Sequence, residues 1–521
     1  MGVKKGKIMW VDDEIELLKA HILFLKSRGF EVEPVSNGND AVNLVNEQNF
    51  DLVLLDEMMT GKDGLTTLAE IKDIKPGLPV IMITKNEEES LMEKAIGRKI
   101  TDYLTKPVNP SQVLMACKKV LERSRISSEH VSRDYLAEFH AISRRLYEEL
   151  NADEWIDIYK KLARWDIEFD DHPDLGLKET LEDQVRDCNI EFGKFIEKHY
   201  AQWVNDDPHF RPTLSPDVVR KFILPKIRSR EKVLFIVIDC MRLDQWLTFE
   251  SLLYDFYNIS TDYCFSILPS ATPYARNAIF SGMFPAEFYQ TYPDIWDREE
   301  ATEGSMNNHE NEMIQKLVNA ELSDYSPATK YIKVLDSESG WSVDRKISTY
   351  LENPFISLVV NFVDVLAHRR SDSEILKEIL PNEASYRSIV RTWFKHSWIY
   401  SVLKKFADYG FTVVITSDHG SIRVLNDVKV VGDKETSTNI RFKCGKNLNS
   451  HQKYALIIKE PETYKLPVLG INTNYLIAKE NFYFVYPTNY HKFQSRYHDT
   501  FQHGGISMEE MILPVVTLTP K

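Results

Sequence analysis

At 521 residues, 43% hydrophobic and 27% charged, the chain has the composition of a globular protein too long for one core, and about three domains of ordinary size are expected. Neither an apolar run long enough to cross a bilayer nor a basic-then-apolar leader is present, which predicts a cytoplasmic protein without membrane insertion. A formal net charge of -14 argues against a nonspecific duplex-DNA binder, and five scattered cysteines without a CxxC spacing (Cys117, Cys188, Cys240, Cys264, Cys444) argue for small core residues rather than a disulfide framework or thiolate zinc site.

Residues 1–122 read as alternating strands and helices of a doubly wound sheet. Strand candidates are Lys7 to Val11, Asp51 to Leu55, Val80 to Thr84 and Asp102 to Leu104; helix candidates are Glu14 to Arg28, Gly38 to Glu47 and Gly64 to Lys75, with a further helix over Ser111 to Arg125. From 123 to 224, apolar residues recur at helical spacing, as at Tyr135, Phe139, Ile142, Leu146 and Leu150, which predicts a helical linker bundle whose residues carry no recognisable chemistry. Pro208, Pro212 and Pro216 break that periodicity before a second α/β unit over 225–521. There, three apolar runs each end in an aspartate: Val233 to Ile238 before Asp239, Ile356 to Val363 before Asp364, and Thr412 to Ser417 before Asp418. Such runs suit buried parallel strands, and ligands gather beyond strand C-termini in open α/β sheets, so these carboxylates can converge.

In the first unit Asp12 and Asp13 follow the first strand, Asp56 ends the third, Thr84 ends the fourth, and Lys106 precedes Pro107 after the fifth. Three carboxylates at strand ends suit a hard divalent cation such as Mg2+, with Asp56 accepting a phosphoryl group, Thr84 bonding its oxygens and Lys106 pairing with its charge. A helix cap in VDDE or an ordinary strand end in LLDE would explain either element alone. All of them in this order, in VDDE (11–14), LLDEMMTGKDG (54–64), MITKN (82–86) and YLTKP (103–107), resemble the two-component receiver family. The resemblance implies a flavodoxin-like fold, phosphorylation of Asp56 by a sensor histidine kinase, Mg2+ held by Asp12, Asp13, Asp56 and the Met58 carbonyl, and a switch of Thr84 with Tyr103. Thr60 stands where the family usually has proline, a departure expected to loosen the loop without touching a chemical group. Receivers commonly use phosphorylation to change self-association, so a phosphorylation-promoted homodimer is expected.

In the last unit Asp239, Thr272, Asp364, His368, Asp418, His419 and His503 form an oxygen and imidazole set suited to a paired zinc site. Asp364 and His368 are four apart, which puts both on one face if the chain turns helical; Asp418 and His419 are adjacent in SDHG at a strand end. A threonine hydroxyl is a poor nucleophile near neutral pH, and a bound dication favours its alkoxide, so coordination would activate Thr272 to form a phosphothreonine that water later hydrolyses. Singly, these pieces also read as a helix cap, a turn before a helix with Pro273 at its first position, and a loop in HGG. Together D(239), T(272), DxxxH (364–368), DH (418–419) and H(503) reproduce the ligand order of the alkaline-phosphatase superfamily, and DCMRLDQW (239–246) and PSATPYAR (269–276) resemble its PglZ branch. That resemblance implies an alkaline-phosphatase-like α/β domain with one zinc held by Asp364, His368 and His503, and a second by Asp239, Asp418 and His419 beside Thr272. Oxygen and imidazole ligands admit manganese as well.

Receiver, helical linker and PglZ domain together resemble PorX-type response regulators, which implies control of type IX secretion and nucleotide or oligonucleotide phosphodiesters as substrates. It also implies an extracytoplasmic-function sigma factor and a secretion motor component as partners. An interaction regulator with structural zinc is the alternative; no helix-turn-helix with a basic recognition helix supports a DNA-binding regulator. Arg276, one helical turn beyond Thr272, is a candidate partner for a substrate phosphate. The segment Tyr490, His491, Lys492, Phe493, Arg496, Tyr497, His498 mixes aromatic and basic residues as a single-stranded nucleic-acid groove would, although a solvated strand or loop is the plainer reading. Residues 284–350 are expected to cap the site.

Overall fold

The computed structural model describes residues 6–85, 100–172, 176–293, 307–322, 325, 327–432, 439–486 and 490–521, apart from the side chains of 122–129, 372 and 492. Asn86 of MITKN, the Lys492 side chain, and residues 294–306, 323, 324 and 326 of the expected cap lie outside that set. The chain forms two compact units, one ending at Glu138 and one starting at Phe139.

The first unit is a five-stranded parallel sheet in the order β2-β1-β3-β4-β5: β1 (Lys7–Val11), β2 (Glu31–Val35), β3 (Leu52–Asp56), β4 (Val80–Thr84) and β5 (Asp102–Thr105). KIMWV, LVLLD and VIMIT are nearly continuous apolar runs because helices cover both faces of the sheet. β2 escaped the sequence reading for a physical reason. Its EVEPV alternates and contains Pro34, a pattern tolerated because β2 is an edge strand. Asn37 and Asp63 cap the helices Gly38–Glu47 and Gly64–Ile74 by accepting from Asp40 and Thr66 N–H. The expected helix over Glu14 to Arg28 divides into a 3-10 turn, Ile15–Leu18, and the helix Lys19–Ser27. The helix expected over Ser111 to Arg125 runs longer, Pro110–Arg145.

The second unit is built on a six-stranded sheet in the order β7-β18-β10-β6-β9-β8. Its strands are β6 (Val233–Ile238), β7 (Tyr257–Phe265), β8 (Thr329–Val334), β9 (Phe355–Val360), β10 (Thr412–Thr416) and β18 (Ile512–Pro520). β10, β6, β9 and β8 are parallel, and β18 runs antiparallel between β10 and β7. The three strands expected to deliver aspartates are therefore neighbours at the centre of the sheet. Smaller pairings add β11 (Ile422–Val424) with β17 (Thr500–Gln502), β12 (Asn426–Lys429) with β16 (Phe482–Val485), and β13 (Phe442–Lys446) and β14 (Ala455–Ile458) on either side of β15 (Thr473–Ala478).

One expectation differs. The run before Asp364 is shorter than expected: β9 stops at Val360, Asn361 interrupts the apolar sequence, and Asp364 lies in the first turn of the helix Phe362–Asp372. The helices Ala152–Asp171 and Lys178–Trp203 of the 123–224 segment fall within the second compact unit. Their aromatic face continues into it: Phe192 and Trp203 pack on Phe265 at the end of β7, with ring centroids 6.4 and 5.4 Å away. Buried Arg387 takes Asp170 in two 2.8 Å hydrogen bonds and also pairs with Asp166.

All five cysteines are free and buried, as expected. No helix among the described residues is long and apolar enough to cross a membrane.

Candidate functional site

At the C-terminal edge of the first sheet, Asp12, Asp13 and Asp56 each bring a carboxylate oxygen within 4.8 Å of the others. Lys106 Nζ lies 3.0 Å from Asp12 Oδ2 and 3.0 Å from Asp56 Oδ1. Burial pushes the Asp56 carboxyl above its ordinary range despite the Lys106 hydrogen bond, and the neighbouring Asp12 charge adds to the rise. Burial alone would lower Lys106, but its bonds to Asp56 and Asp12 leave it raised. Thr84 is buried at the end of β4, whereas the Tyr103 side chain is 43% exposed and that of Met58, in the loop after β3, is 62% exposed.

Thr60 corrects one expectation, because it does touch a chemical group. Its backbone N–H donates to Asp13 Oδ2 at 2.8 Å, a bond that proline has no N–H to make. This bond is the main cause holding Asp13 below its ordinary pKa, against the opposing effect of burial. Thr60→Pro should therefore raise the Asp13 pKa, read from the pH titration of its carboxyl carbon by NMR. Because the folded pKa is the depressed one, the stability contributed by this bond is present above the ordinary carboxylate pKa and fades as pH falls through the folded value. An unmoved titration would mean that the Thr60 bond does not set the Asp13 charge.

In the second unit Asp239 follows β6, and Asp418 and His419 follow β10. His503 arrives by a different route: β17 pairs antiparallel with β11, and the register Ile422↔Gln502 sets His503 beside the SDHG loop. Asp364 Oδ1 lies 3.3 Å from His368 Nε2 and 3.6 Å from His503 Nε2, and the two imidazole nitrogens are 3.3 Å apart. Ligands 2.0 to 2.1 Å from a tetrahedral zinc are spaced about 3.3 Å, so this triangle fits one such cation. Asp239, Asp418 and His419 form the second cluster, with His419 Nε2 3.6 Å from Asp239 Oδ1 and 3.9 Å from Asp418 Oδ2. The clusters adjoin, since the His419 and His503 rings stack with centroids 4.2 Å apart.

The donor atoms suit cations. Asp239 Oδ1 and Asp364 Oδ1, the oxygens facing the imidazoles, are buried and accept no hydrogen bond among the described residues. His419 Nδ1 lies 3.0 Å from the Gly420 carbonyl, to which it donates, and this turns Nε2 towards the carboxylates of the cluster, where an ion would be held. The same Nε2 lies 2.9 Å from Thr272 Oγ1, within hydrogen-bond distance. Burial and the nearby His419 hold His503 well below its ordinary pKa, keeping it a neutral imidazole. Burial pushes both Asp239 and Asp418 upward; at Asp418 the Arg276 guanidinium, His419 and the Cys240 N–H reverse this, whereas Asp239 stays raised. Thr272 and His368 reach solvent while Asp239, Asp418, His419 and His503 are buried.

Arg276, expected as a phosphate partner, is committed elsewhere. It is 1% exposed; its Nε donates to Asp418 Oδ2 at 2.9 Å, Nη2 contacts Asp239 Oδ2, and Glu310 lies 4.0 Å away. It holds the outer oxygens of two carboxylates whose remaining capacity faces His419. Lys333 Nζ in turn lies 3.4 Å from Glu310.

Several supporting residues have no signal in the sequence. Cys240 takes a φ of 65°, rare for a side chain of its type, and so aims its N–H at Asp418 Oδ1 at 3.3 Å. Ser270 Oγ donates to Gly505 O at 2.7 Å, tying the Thr272 loop to the His503 loop. The buried Arg441–Glu510 pair grips the latter through a 2.8 Å bond from Gly505 N–H to Glu510. The glycines of HGG were a partial clue: a Cβ at Gly504 would come within 2.7 Å of Phe442, and one at Gly505 within 2.2 Å of Arg441. The mixed segment from Tyr490 is not a strand or loop but the helix Tyr490–Tyr497, whose half-buried Tyr490, Phe493 and Tyr497 pack on a core with Ile422, Val424 and Tyr483. His498 lies outside the ligand set, with Nδ1 3.0 Å from Leu425 O.

A family profile described as the BREX system PglZ alkaline phosphatase-like domain matches residues 218–518, more than half of the chain. The chain belongs to the PglZ family. Ahead of the PglZ domain, a response regulator receiver domain profile matches residues 8–118 and a PorX response regulator linker domain profile matches residues 125–204. The three in this order reproduce the PorX-type architecture of a response regulator with a PglZ domain. Among curated relatives, the transcriptional regulatory protein ResD of Bacillus subtilis is 33% identical over 118 residues, 23% of this chain and 49% of ResD. The CpxR homolog of Haemophilus influenzae is 34% identical over 140 residues, 26% of this chain and 60% of that protein. The chain thus spans about half the length of the first and 60% of the second. Among solved structures, the NtrX receiver domain of Brucella abortus is 31% identical, with 22% of this chain and 98% of that one covered at a TM-score of 0.21. A CheY-like receiver domain protein of Methanospirillum hungatei is 25% identical, with 23% and 97% covered at 0.23.

Proposed function

We propose that this PglZ-family response regulator is a phosphoesterase with paired cation sites, set by phosphorylation of Asp56. The reading is carried by the tetrahedral spacing of Asp364, His368 and His503 next to Thr272 and the second acid–imidazole cluster. When bound, two dications would supply Lewis-acid activation of a hydroxyl and neutralise charge on the phosphoryl oxygens. Thr272, at the N-terminus of the helix Thr272–Ser281, presents its oxygen at the open side of the clusters. Its Oγ forms a bond to phosphorus as the bond to the leaving alcohol breaks; the alcohol takes a proton, and water then cleaves the phosphothreonine. Nearby, four buried or half-buried carboxylates (Asp239, Asp364, Asp418, Glu310) face two cationic side chains (Arg276, Lys333). Two dications would reverse that excess of negative charge and favour an anionic ester.

Substrates of the nucleotide phosphodiester class, zinc as the working metal and a role in type IX secretion extend the reading and rest on family resemblance. So do a sensor histidine kinase, a sigma factor and a secretion motor component as partners. In the receiver, Asp12, Asp13 and Asp56 would hold Mg2+ for the phosphorylation step.

Metal analysis tests the assignment: Asp418→Ala and His503→Ala should each lose about one equivalent of bound cation, with weakened folding, because cation binding is linked to folding. Full metal content in both would place the cations on other residues. An acyl phosphate mimic on Asp56 should shift the chain towards a dimer in sedimentation, and Asp56→Asn should not respond. A wild-type chain that stays monomeric with the mimic bound would remove the dimer from the scheme.

A further inference from the structure

The helix Lys178–Trp203 looks inert in sequence, yet one of its faces carries polar side chains bonded to other segments, two of them buried. Asn189, Gly193, Glu197 and Tyr200 follow at spacings of four, four and three, which lines them up along the helix. Asn189 is 3% exposed and Tyr200 1%. The Tyr200 hydroxyl accepts from Leu268 N–H at 2.8 Å, in the loop that leads to Thr272. Asn189 Oδ1 accepts from Met508 N–H at 2.8 Å, and its amide donates to the Glu509 carboxylate at 3.0 and 3.2 Å, just after the HGG loop of His503. Glu197 pairs at 2.6 Å with Lys479, whose strand end bridges to Ile506 in the same loop.

These contacts converge on the cation clusters. Ser270 joins the two loops through Gly505 O, and Ser266 Oγ donates to Asp418 O at 2.7 Å. Gly420 N–H donates to Glu510 O at 3.0 Å, and a Cβ at Gly420 would come within 1.9 Å of Glu509 O, so the SDHG loop lies directly against the segment that Asn189 holds. Packing alone would need only the buried apolar residues of this helix, such as Leu181, Phe192 and Ile196. Buried side chains bonded to main-chain N–H groups of two loops instead fix the paths of those loops.

We infer that Tyr200 and Asn189 are positioning residues, and that the linker helix completes the cation sites by fixing the loops that carry Thr272 and His503. The inference rests on reading the two clusters as cation sites. Neither residue touches a reacting atom; each acts through main chain next to a residue that does.

The test uses the full chain, titrated with Co2+ as the probe and followed by its visible absorption, in wild type, Tyr200→Phe, Asn189→Leu and the control Leu181→Ala. Leu181 is buried on the same helix and bonds to neither loop, so its truncation reports on stability alone. Wild type should take up Co2+ with the absorption of low-coordinate ions. Tyr200→Phe and Asn189→Leu should bind it about tenfold or more weakly with altered absorption, as outer-shell changes do. Leu181→Ala should lose thermal stability while keeping the wild-type Co2+ affinity and spectrum. Wild-type affinity and spectrum in folded Tyr200→Phe and Asn189→Leu would overturn the positioning role and leave the cation sites standing. Absence of Co2+ uptake by wild type would overturn the cation reading and, with it, the inference.

Discussion

Thr272→Ala should reduce phosphoester hydrolysis on the order of 10³-fold or more while leaving bound cation close to the wild-type amount, since removal of a nucleophile abolishes the step it makes. The two readouts separate because of where Thr272 sits. Its hydroxyl touches His419 Nε2 at 2.9 Å, but the three-residue clusters that would retain cations, Asp364 with His368 and His503, and Asp239 with Asp418 and His419, are complete without it. Its helix also survives the change: the first turn is fixed by Pro273 and by Ser270 behind it rather than by the threonine side chain. Undiminished turnover with full metal content would assign the nucleophile to another group.

Arg276→Met should have the largest effect on stability of any single change in the site. The guanidinium is buried among Asp239, Asp418 and Glu310, and removing one member of a buried ion pair leaves uncompensated charge at a cost of about 3 to 5 kcal/mol. The loss should be greatest in chelator and should shrink with saturating divalent cation, which would take over the neutralisation of Asp239 and Asp418. Chemical denaturation of the wild type and variant, with and without cation, measures both quantities. A deficit that cation leaves unchanged would mean that Arg276 and the cation do not share these carboxylates.

The parts legible in the sequence were those where one physical demand dominates. Buried parallel strands must be apolar on both faces, so β1, β3, β4, β6 and β10 stand out in the chain. A charged side chain at the end of such an apolar run breaks the pattern, so Asp56, Asp239 and Asp418 stand out with them although all three are buried. β2 was hidden by its alternation and Pro34, which an edge position allows. The strand before Asp364 reads three residues too long in the sequence, to Val363, since an apolar helix start and a strand end read alike. Interactions that depend on tertiary pairing left no local trace. Arg276 reads as a phosphate partner until Asp239 and Asp418 are seen on either side of it. Asn189, Tyr200, Arg441 and Glu510 read as ordinary helix or loop residues until their buried partners are found.

The most direct measurement is hydrolysis of a chromogenic phosphodiester and its matching monoester by the purified full chain, after chelation and after re-addition of zinc with bound metal counted. The account predicts turnover that vanishes on chelation and returns with two equivalents of cation bound. Absence of turnover on either ester with both equivalents in place would contradict it, leaving the clusters as structural metal sites and the output of the regulator as binding to partner proteins.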